Sequence, residues 1–201
     1  MLLALDTSSD YVSLALFDDN KPVAHIHQNM VTGQAESLFP MLQDLFKKAN
    51  VSSKDLSCIA VAVGPGSFTG VRIALATARA FALALNIPVI GITNFEAAAY
   101  NIKQPVTVVL NTKRGDFFVQ DFDAEGHPTC PAKIQTSEQL AKRSPFNATG
   151  SGVELLAKTV HCTPISSGLS EAEAVGYVAL TRPQSHLPAV PIYLREADVT
   201  V

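Results

Sequence analysis

The sequence contains no tryptophan and few aromatic residues: they make up 7% of its 201 residues, whereas hydrophobic residues make up 47%. Charged residues are also scarce, at 16%, and acidic side chains outnumber basic ones by 18 to 15. A chain this apolar is not intrinsically disordered, and the basic balance usual in free-standing nucleic-acid-binding proteins is missing. The hydrophobic content is therefore largely aliphatic, and at this length it predicts a compact protein with a sizeable core.

Cysteine pairs and long apolar runs are missing too. Cys58, Cys130 and Cys162 lie far apart and form no Cys-x-x-Cys pair, so the sequence indicates neither a zinc clasp nor a redox dithiol. No uninterrupted apolar run reaches the roughly 18 residues that a membrane span needs, and no basic segment precedes Leu2 and Leu3. We therefore expect a soluble, cytoplasmic protein.

Hydrophobic periodicity predicts three strands at the start of the chain. An apolar run at residues 2–6 is followed by two segments of alternating polarity, residues 11–17 and 23–28, with turn residues between them. Because the connections are short, the three strands are expected to form an antiparallel meander.

Helices and buried strands follow the meander. Apolar residues recur at helical spacing in residues 34–49, where Pro40 predicts a kink. A strand, a glycine-rich loop, an alanine-rich helix, a further strand and a short helix are then predicted at residues 58–63, 64–70, 71–85, 87–92 and 93–100. This order, βββαβαβα, resembles the half-domain of the actin-like ATPase, sugar kinase and Hsp70 superfamily.

That superfamily normally carries two such halves, and residues 105–122 read as the strand, turn and strand that would begin the second. Beyond them the pattern is weaker, with helices predicted at residues 138–143, 153–160 and 171–181. The resemblance implies an α/β, ribonuclease H-like fold with two halves, each a mixed sheet flanked by helices. We expect an N-terminal half at residues 1–103 and a reduced C-terminal half at residues 104–201, whose last segment packs back on the first.

The glycine-rich stretch between a strand and a helix is the most distinctive motif. It lacks the Lys-Ser/Thr of a P-loop and the spacing of a dinucleotide-binding loop. By composition alone it fits either an anion-binding turn or a tight structural turn. Its residues are Gly64, Pro65, Gly66, Ser67, Phe68, Thr69 and Gly70.

In its context this string resembles the TsaB (YeaZ-like) family, subunits of the bacterial tRNA threonylcarbamoyladenosine machinery and paralogues of TsaD, once labelled glycoprotease-like. The match extends from the loop through Val71, Arg72 and Ile73 into the alanine-rich helix. Three further stretches match, at residues 3–8, 35–40 and 191–195. The resemblance is tight over most of residues 2–100 and loose beyond.

The resemblance implies that the metal pair of the catalytic paralogue is absent from this chain. TsaD binds metal through His-x-x-x-His, two residues on one helical face. The corresponding positions here are Asn94 and Ala98, and Ala98 has no ligand atom. No histidine pair at helical spacing replaces them, although His25 and His27 share one face of a strand. We therefore expect no metal site, no catalytic residue and no peptidase activity.

Nucleotide binding finds equally little support. The resemblance to actin-like ATPases implies two phosphate loops, one at the first turn of each half. Asp6, Thr7 and Ser8 are then a candidate vestigial first loop, and the second falls at residues 111–115, where Asn111 replaces the carboxylate expected to hold a hydrated metal. The sequence predicts no cofactor, while leaving weak ATP or ADP binding open. An independent actin-fold ATPase or small-molecule kinase is the alternative function.

For TsaB-like proteins the resemblance implies that the first two helices contact another subunit. The expected partners are a TsaD-type paralogue, in a heterodimer, and a TsaE-type ATPase, with a homodimer when the chain is alone and only minor or indirect tRNA contact. The expected function is a non-catalytic scaffold in forming N6-threonylcarbamoyladenosine at position 37 of ANN-decoding tRNAs. The predicted contact residues are Phe39, Leu42, Phe46, Val71, Arg72, Leu75 and Arg79.

Overall fold

The computed structural model describes residues 1–143, 145–182 and 189–195. By its internal contacts the chain divides into two compact units. Unit 1 comprises Met1–Ala97 and Leu169–Ile192, and unit 2 comprises Ala98–Gly168 and the residues from Tyr193 onward. The unit boundary therefore falls a few residues before the predicted position 103. The end of the predicted second half, residues 196–201, lies outside the described residues.

Unit 1 is built on a five-stranded mixed sheet of order β3-β2-β1-β4-β5. β2 pairs antiparallel with both β1 and β3, whereas β4 and β5 run parallel to β1, which confirms the predicted meander and the crossover units after it. The strands are β1 (Leu2–Asp6), β2 (Tyr11–Asp18), β3 (Lys21–Asn29), β4 (Cys58–Ala62) and β5 (Val89–Ile92).

Two helices connect strands of unit 1, α1 (Gln34–Ala49) and α2 (Phe68–Leu85), and a short helix, α3 (Asn94–Ala99), follows β5. α1 continues through Pro40 as one helix. Leu38, Leu42 and Leu45 of α1 are buried in the core between the helices and the sheet. Their spacing of three and four residues places them on one helical face, as the sequence predicts.

α2 is long and apolar enough, by length and composition alone, to cross a membrane, with a mean hydropathy of 1.4 over 18 residues. A single such helix is weak evidence for a span, because core helices pass the same test. Here α2 packs on β4 and β1 through Val71, Ala74, Leu75 and Ala78, all buried. Only a third of the helix is buried, so a broad apolar face remains exposed.

Unit 2 repeats the topology of unit 1 on a smaller scale, with strand order β10-β9-β6-β7-β8. β7 is antiparallel to β6 and β8, while β9 is parallel to β6 and β10, so each strand has a counterpart in unit 1. This duplication confirms the predicted actin-like fold. The elements are β6 (Val106–Asn111), β7 (Asp116–Phe122), β8 (Lys133–Thr136), α4 (Ser137–Ala141), β9 (Phe146–Thr149), α5 (Val153–Leu156) and β10 (Cys162–Pro164).

The last helix, α6 (Glu171–Leu180), belongs to unit 1 and covers the sheet face opposite α1 and α2. Its Ala172 N–H donates to Ser13 Oγ at 3.1 Å. Phe17 projects to the same face, where its ring meets the Tyr177 ring edge-on at 5.1 Å and lies against Gly176. A side chain at position 176 would overlap the Phe17 ring, so the glycine lets the helix lie close to β2.

Candidate functional site

An exposed apolar surface, which we call the α1–α2 face, is formed by Phe39, Ala76, Ala80, Phe81 and Leu83. The Phe39 side chain is 53% exposed, and its ring stacks on Phe81 with centroids 6.4 Å apart. Leu83 is 87% exposed, and Ala76 and Ala80 lie on the exposed side of α2. Large apolar side chains and small ones alternate on this face, which suits close packing by another helix.

The structure separates the predicted contact residues into two groups. Leu42, Val71 and Leu75 are only 2%, 1% and 3% exposed, because their helical spacing turns them toward the sheet. They belong to the core of unit 1 and not to its surface, which corrects their assignment as contact residues. Phe46 is half-buried against the same core, and Phe39 alone of the predicted apolar contacts is largely exposed.

The two predicted arginines are exposed and already contact the chain itself. The Arg72 guanidinium lies over the Phe68 ring, 3.6 Å from its centroid, in a cation–π arrangement at the start of α2. Arg79 donates from Nη2 to the carbonyl oxygen of Ala189 at 2.6 Å. Both arginines therefore have intramolecular roles, in addition to any contact with a partner.

Leu83, Ala80 and Phe81 were not singled out from the sequence. Apolar residues occupy most of the circumference of α2, but Arg72 and Arg79, seven residues apart, mark the side that faces solvent. These arginines, together with more apolar residues than one sheet-facing side can bury, were the available signal for an exposed apolar face.

The glycine loop packs its backbone against the turn between β1 and β2. The Ser67 N–H donates to the Ser8 carbonyl oxygen at 2.7 Å, and Ser67 Oγ caps α2 by accepting from the Gly70 N–H at 3.3 Å. A Cβ at Gly66 or Gly70 would overlap the carbonyl oxygen of Ser8 or Thr7. The glycines thus permit a close backbone approach, and the partner in that approach is the chain's own turn.

The predicted vestigial phosphate loop is this same turn, and it is closed to solvent. Asp6, Thr7 and Ser8 are 2%, 0% and 1% exposed. The Asp6 carboxylate accepts from the Ser8 N–H at 2.7 Å and from the Tyr11 hydroxyl at 2.9 Å. Both carboxylate oxygens are therefore engaged inside unit 1.

Burial changes the acid–base properties of this turn. Desolvation raises the pKa of Asp6 from 3.8 to about 6, and the negative charge of Glu171 adds to the rise, while the hydrogen bonds from Ser8 and Tyr11 oppose it. Desolvation and the nearby Asp6 carboxylate likewise raise the pKa of Tyr11 well above its ordinary value. An anion placed here would face buried negative charge, so the turn is poorly suited to holding phosphate.

The equivalent turn of unit 2 uses the same backbone geometry with a neutral side chain. Asn111 Oδ1 accepts from the Lys113 N–H at 2.8 Å, as Asp6 does from Ser8. Its own N–H donates to Ser151 Oγ at 3.2 Å, and the Gly152 N–H donates to the Val109 carbonyl oxygen at 2.9 Å. The turn at Gly150, Ser151 and Gly152 therefore packs against β6, much as the glycine loop of unit 1 packs against the end of β1.

Asp116 follows that turn and pairs with Arg195. Partial burial alone raises the pKa of Asp116, but hydrogen bonds from Thr112 and Arg195 and the positive charge of Arg195 outweigh it and hold the pKa below its usual value. Arg195 belongs to the last of the stretches that resemble the family, residues 191–195, and its ion pair with Asp116 anchors the end of that stretch within unit 2.

The two positions that the resemblance aligns with the metal pair, Asn94 and Ala98, carry no histidine in this chain. Asn94 is the first residue of α3, and it donates through Nδ2 to Ser8 Oγ and through its backbone N–H to the Gly64 carbonyl oxygen at 2.8 Å. Ala98 offers no ligand atom. Within residues 1–143, 145–182 and 189–195, no group of three or more His, Cys, Asp or Glu side chains could hold a metal ion.

The two histidines on β3 each face a different carboxylate at the start of α6. His27 Nδ1 lies 2.9 Å from a Glu171 oxygen, and His25 Nδ1 lies 3.4 Å from a Glu173 oxygen. Each histidine is thus a link between the edge strand and α6, and the two do not converge on a common point.

Comparison with known proteins places this architecture in a family. The family model described as "TsaD: tRNA N6-adenosine threonylcarbamoyltransferase" matches residues 32–159, more than half of the chain. The "tRNA threonylcarbamoyladenosine biosynthesis protein TsaB" of Buchnera aphidicola subsp. Schizaphis graminum is 31% identical over 123 residues, or 59% of this chain. The protein of the same description from Escherichia coli K12 is 35% identical over 98 residues, or 49% of this chain.

These matches span 58% and 42% of the two relatives' own lengths. Among solved structures, "YeaZ from Pseudomonas aeruginosa" superposes with a TM-score of 0.80 and covers 96% of this chain and 99% of its own. At 24% sequence identity that likeness shows the shared fold. Because the family model matches residues 32–159, more than half of the chain, and the two related sequences share one description, the chain belongs to the TsaB (YeaZ-like) branch of the TsaD family.

Proposed function

We propose that this chain is a non-catalytic subunit of the cytoplasmic machinery that forms N6-threonylcarbamoyladenosine at position 37 of ANN-decoding tRNAs. It pairs with a TsaD-type paralogue, which supplies the metal and the active site, and it holds that paralogue in its active conformation. A TsaE-type ATPase joins the assembly, and in the absence of the paralogue two copies of this chain pair with each other.

The chemistry of α3 supports the non-catalytic part of this proposal. Ala98 has no side-chain atom that could replace a histidine ligand, and Asn94, whose Nδ2 donates a hydrogen bond to Ser8 Oγ, offers at most one neutral amide oxygen. A metal that polarises a carbonyl group needs several protein ligands and an open coordination position. The residues at these positions do not supply them, so the reaction requires a second polypeptide.

The α1–α2 face is the observation that carries the partner part of the proposal. Leu83 at 87% exposure and Phe39 at 53% leave large apolar side chains in water beside a row of alanines. A paralogue with the same fold would present its own first two helices, and the two pairs would pack as a four-helix arrangement across the interface. Burying these side chains in an interface would remove their apolar surface from water and so stabilise the complex.

The charge balance supports a platform role. With 18 acidic and 15 basic residues, the chain lacks the excess of positive charge that gives most of the free energy of nucleic-acid binding. The tRNA is therefore held mainly by the partner, and contact with this chain is minor or indirect.

An independent ATPase or kinase is disfavoured by the closed turn. Such an enzyme needs its first phosphate loop open to the nucleotide, whereas Asp6, Thr7 and Ser8 are buried and hydrogen-bonded to the surrounding elements. No observation on the described residues favours this alternative.

The proposal is tested by light scattering on mixtures of the purified chain with its cognate TsaD-type paralogue. The wild-type mixture should give a mass equal to the sum of the two proteins. Leu83→Asp should weaken the complex about tenfold or more, because a carboxylate would have to be desolvated in the apolar interface.

Leu155→Asp is the matched control, since Leu155 is also exposed, at 43%, but lies on α5 of unit 2. It should leave the complex intact, and melting curves should show both variants folded. A wild-type mixture without a complex would refute the pairing, and an unaffected Leu83→Asp variant would refute the assignment of the α1–α2 face.

A further inference from the structure

The turn at residues 6–9 is hydrogen-bonded to the first turns of three helices. Gln34 is the first residue of α1, Gly70 lies in the first turn of α2, and Asn94 is the first residue of α3. Each of them makes a hydrogen bond to this turn, to Thr7, Ser9 or Ser8. The turn therefore contacts both helices of the α1–α2 face while lying beneath the surface itself.

Small residues make up much of the sheet-facing side of α2. Gly70, Ala74 and Ala78 lie there with the larger Val71 and Leu75, so part of this side forms only shallow ridges. Hydrophobic burial is non-directional, so directional contacts add to side-chain packing in fixing the axial position of the helix.

Thr7 supplies such contacts to α2. Its side chain is fully buried, and Oγ1 donates to the Gly70 carbonyl oxygen at 2.6 Å. The Thr7 carbonyl oxygen lies against the Cα of the same glycine, in the space that any other residue's Cβ would fill. One hydrogen bond and one close backbone contact thus hold the first turn of α2 from two sides.

Gln34 makes comparable contacts at the start of α1. Its side-chain amide donates to the Tyr11 carbonyl oxygen at 3.1 Å and to the Ser9 carbonyl oxygen, and it approaches the Thr7 carbonyl oxygen at 3.5 Å. The N-cap of α1 is Gly33, which makes no side-chain cap hydrogen bond. The Gln34 side chain is therefore the polar anchor between the start of α1 and the turn.

We propose that Thr7 and Gln34 are positioning residues that set the relative placement of α1 and α2, and through it the affinity of the α1–α2 face for its partner. This inference rests on the proposed function, because it assumes that the face binds a paralogue. Neither side chain touches the partner; each acts through the helix that it anchors.

The isosteric substitution Thr7→Val removes the hydroxyl and keeps the shape, while Thr7→Ser keeps the hydroxyl. Loss of one buried hydrogen bond that holds α2 should weaken the complex with the paralogue about fivefold, and Thr7→Ser should restore affinity to about the wild-type value. Gln34→Met, which keeps the length of the side chain without a donor, should act in the same direction.

A second readout distinguishes positioning from general destabilisation. Spin labels on cysteines at Gln43 of α1 and Ala80 of α2, both exposed, report the distance between the helices in the folded protein; Cys130 is replaced by serine, and Cys58 and Cys162 are buried. Affinities are measured on unlabelled protein. In Thr7→Val the distance distribution should shift or broaden, whereas Thr7→Ser should keep the wild-type distribution.

The outcomes separate the two proposals. An unchanged distance distribution and unchanged affinity in Thr7→Val would overturn the positioning role while leaving the proposed function standing. A wild-type chain that binds no paralogue would overturn the proposed function, and the distance distribution would still decide whether Thr7 sets the placement of the helices.

Discussion

Replacing Asp6 by asparagine should make the protein more stable at high pH. Asp6 is buried, and desolvation raises its pKa from 3.8 to about 6. The folded protein therefore binds this proton more tightly than the unfolded chain does. The stability that the protonated carboxyl provides is fully present below about pH 4 and is lost as pH rises through about 6.

The magnitude follows from the two pKa values. One pH unit of difference corresponds to 1.36 kcal/mol, so a rise from 3.8 to about 6 makes the ionised Asp6 cost about 3 kcal/mol of unfolding free energy at pH 8. Asparagine has nearly the same shape and carries no charge. Its fit is shown by Asn111, which holds the equivalent position in unit 2 and accepts a backbone hydrogen bond of 2.8 Å from Lys113.

The assay is urea unfolding of wild type and Asp6→Asn at several pH values between 4 and 8. The stability advantage of the variant should be small near pH 4 and should grow to about 3 kcal/mol at pH 8. Asp44→Asn is the control, because Asp44 is on the exposed side of α1 and should change stability by less than about 0.5 kcal/mol. Parallel pH profiles for wild type and Asp6→Asn, or a variant that is less stable at pH 8, would refute the reasoning.

Three further predictions concern the glycine loop, the N-terminal cap of α6 and nucleotide binding. Gly70→Ala should destabilise the protein by about 3 kcal/mol or more in urea unfolding, because the new Cβ would overlap the Thr7 carbonyl oxygen. Gly115→Ala is the control: its Cβ would meet open space, so only the strain of its positive φ of 84° remains, at about 1 kcal/mol. Ser170→Ala should cost about 1 kcal/mol by removing the capping box of α6, and an equal stability would show that this cap contributes nothing. Calorimetric titration with Mg-ATP should give weak heat or none, and a tight 1:1 isotherm abolished by Asp6→Ala would restore the ATPase alternative.

The parts of the fold that the sequence predicts well are those with strong local periodicity. The bounds of α1 follow from its apolar spacing, and the buried run at β4 leads into α2 as expected. The strands β8, β9 and β10 were missed because they are three or four residues long, and β10 ends in a proline. Such strands exist only because a neighbouring strand pairs with them, and that partner is not visible in a short window.

The site was harder to predict than the fold, for a physical reason. Thr7 and Gly70 are 63 positions apart, and their hydrogen bond exists only once β1 and β4 have paired. Likewise, Val71 and Leu75 were assigned to an interface because the family resemblance implied contact through the first two helices, although the exposed Arg72 and Arg79 mark the solvent side of α2. In the structure, α2 packs on the sheet through Val71 and Leu75, which are buried, and Leu83 and Ala80 remain exposed to solvent.

The non-catalytic subunit role is tested most directly by reconstituting threonylcarbamoyl transfer to an ANN-decoding tRNA with the cognate TsaD-type paralogue and its other components, and measuring the incorporation of labelled threonine. We expect little modification without this chain, a rise that saturates when chain and paralogue are equimolar, and none with this chain in place of the paralogue. Full modification in the absence of this chain, or modification by this chain alone, would contradict this role.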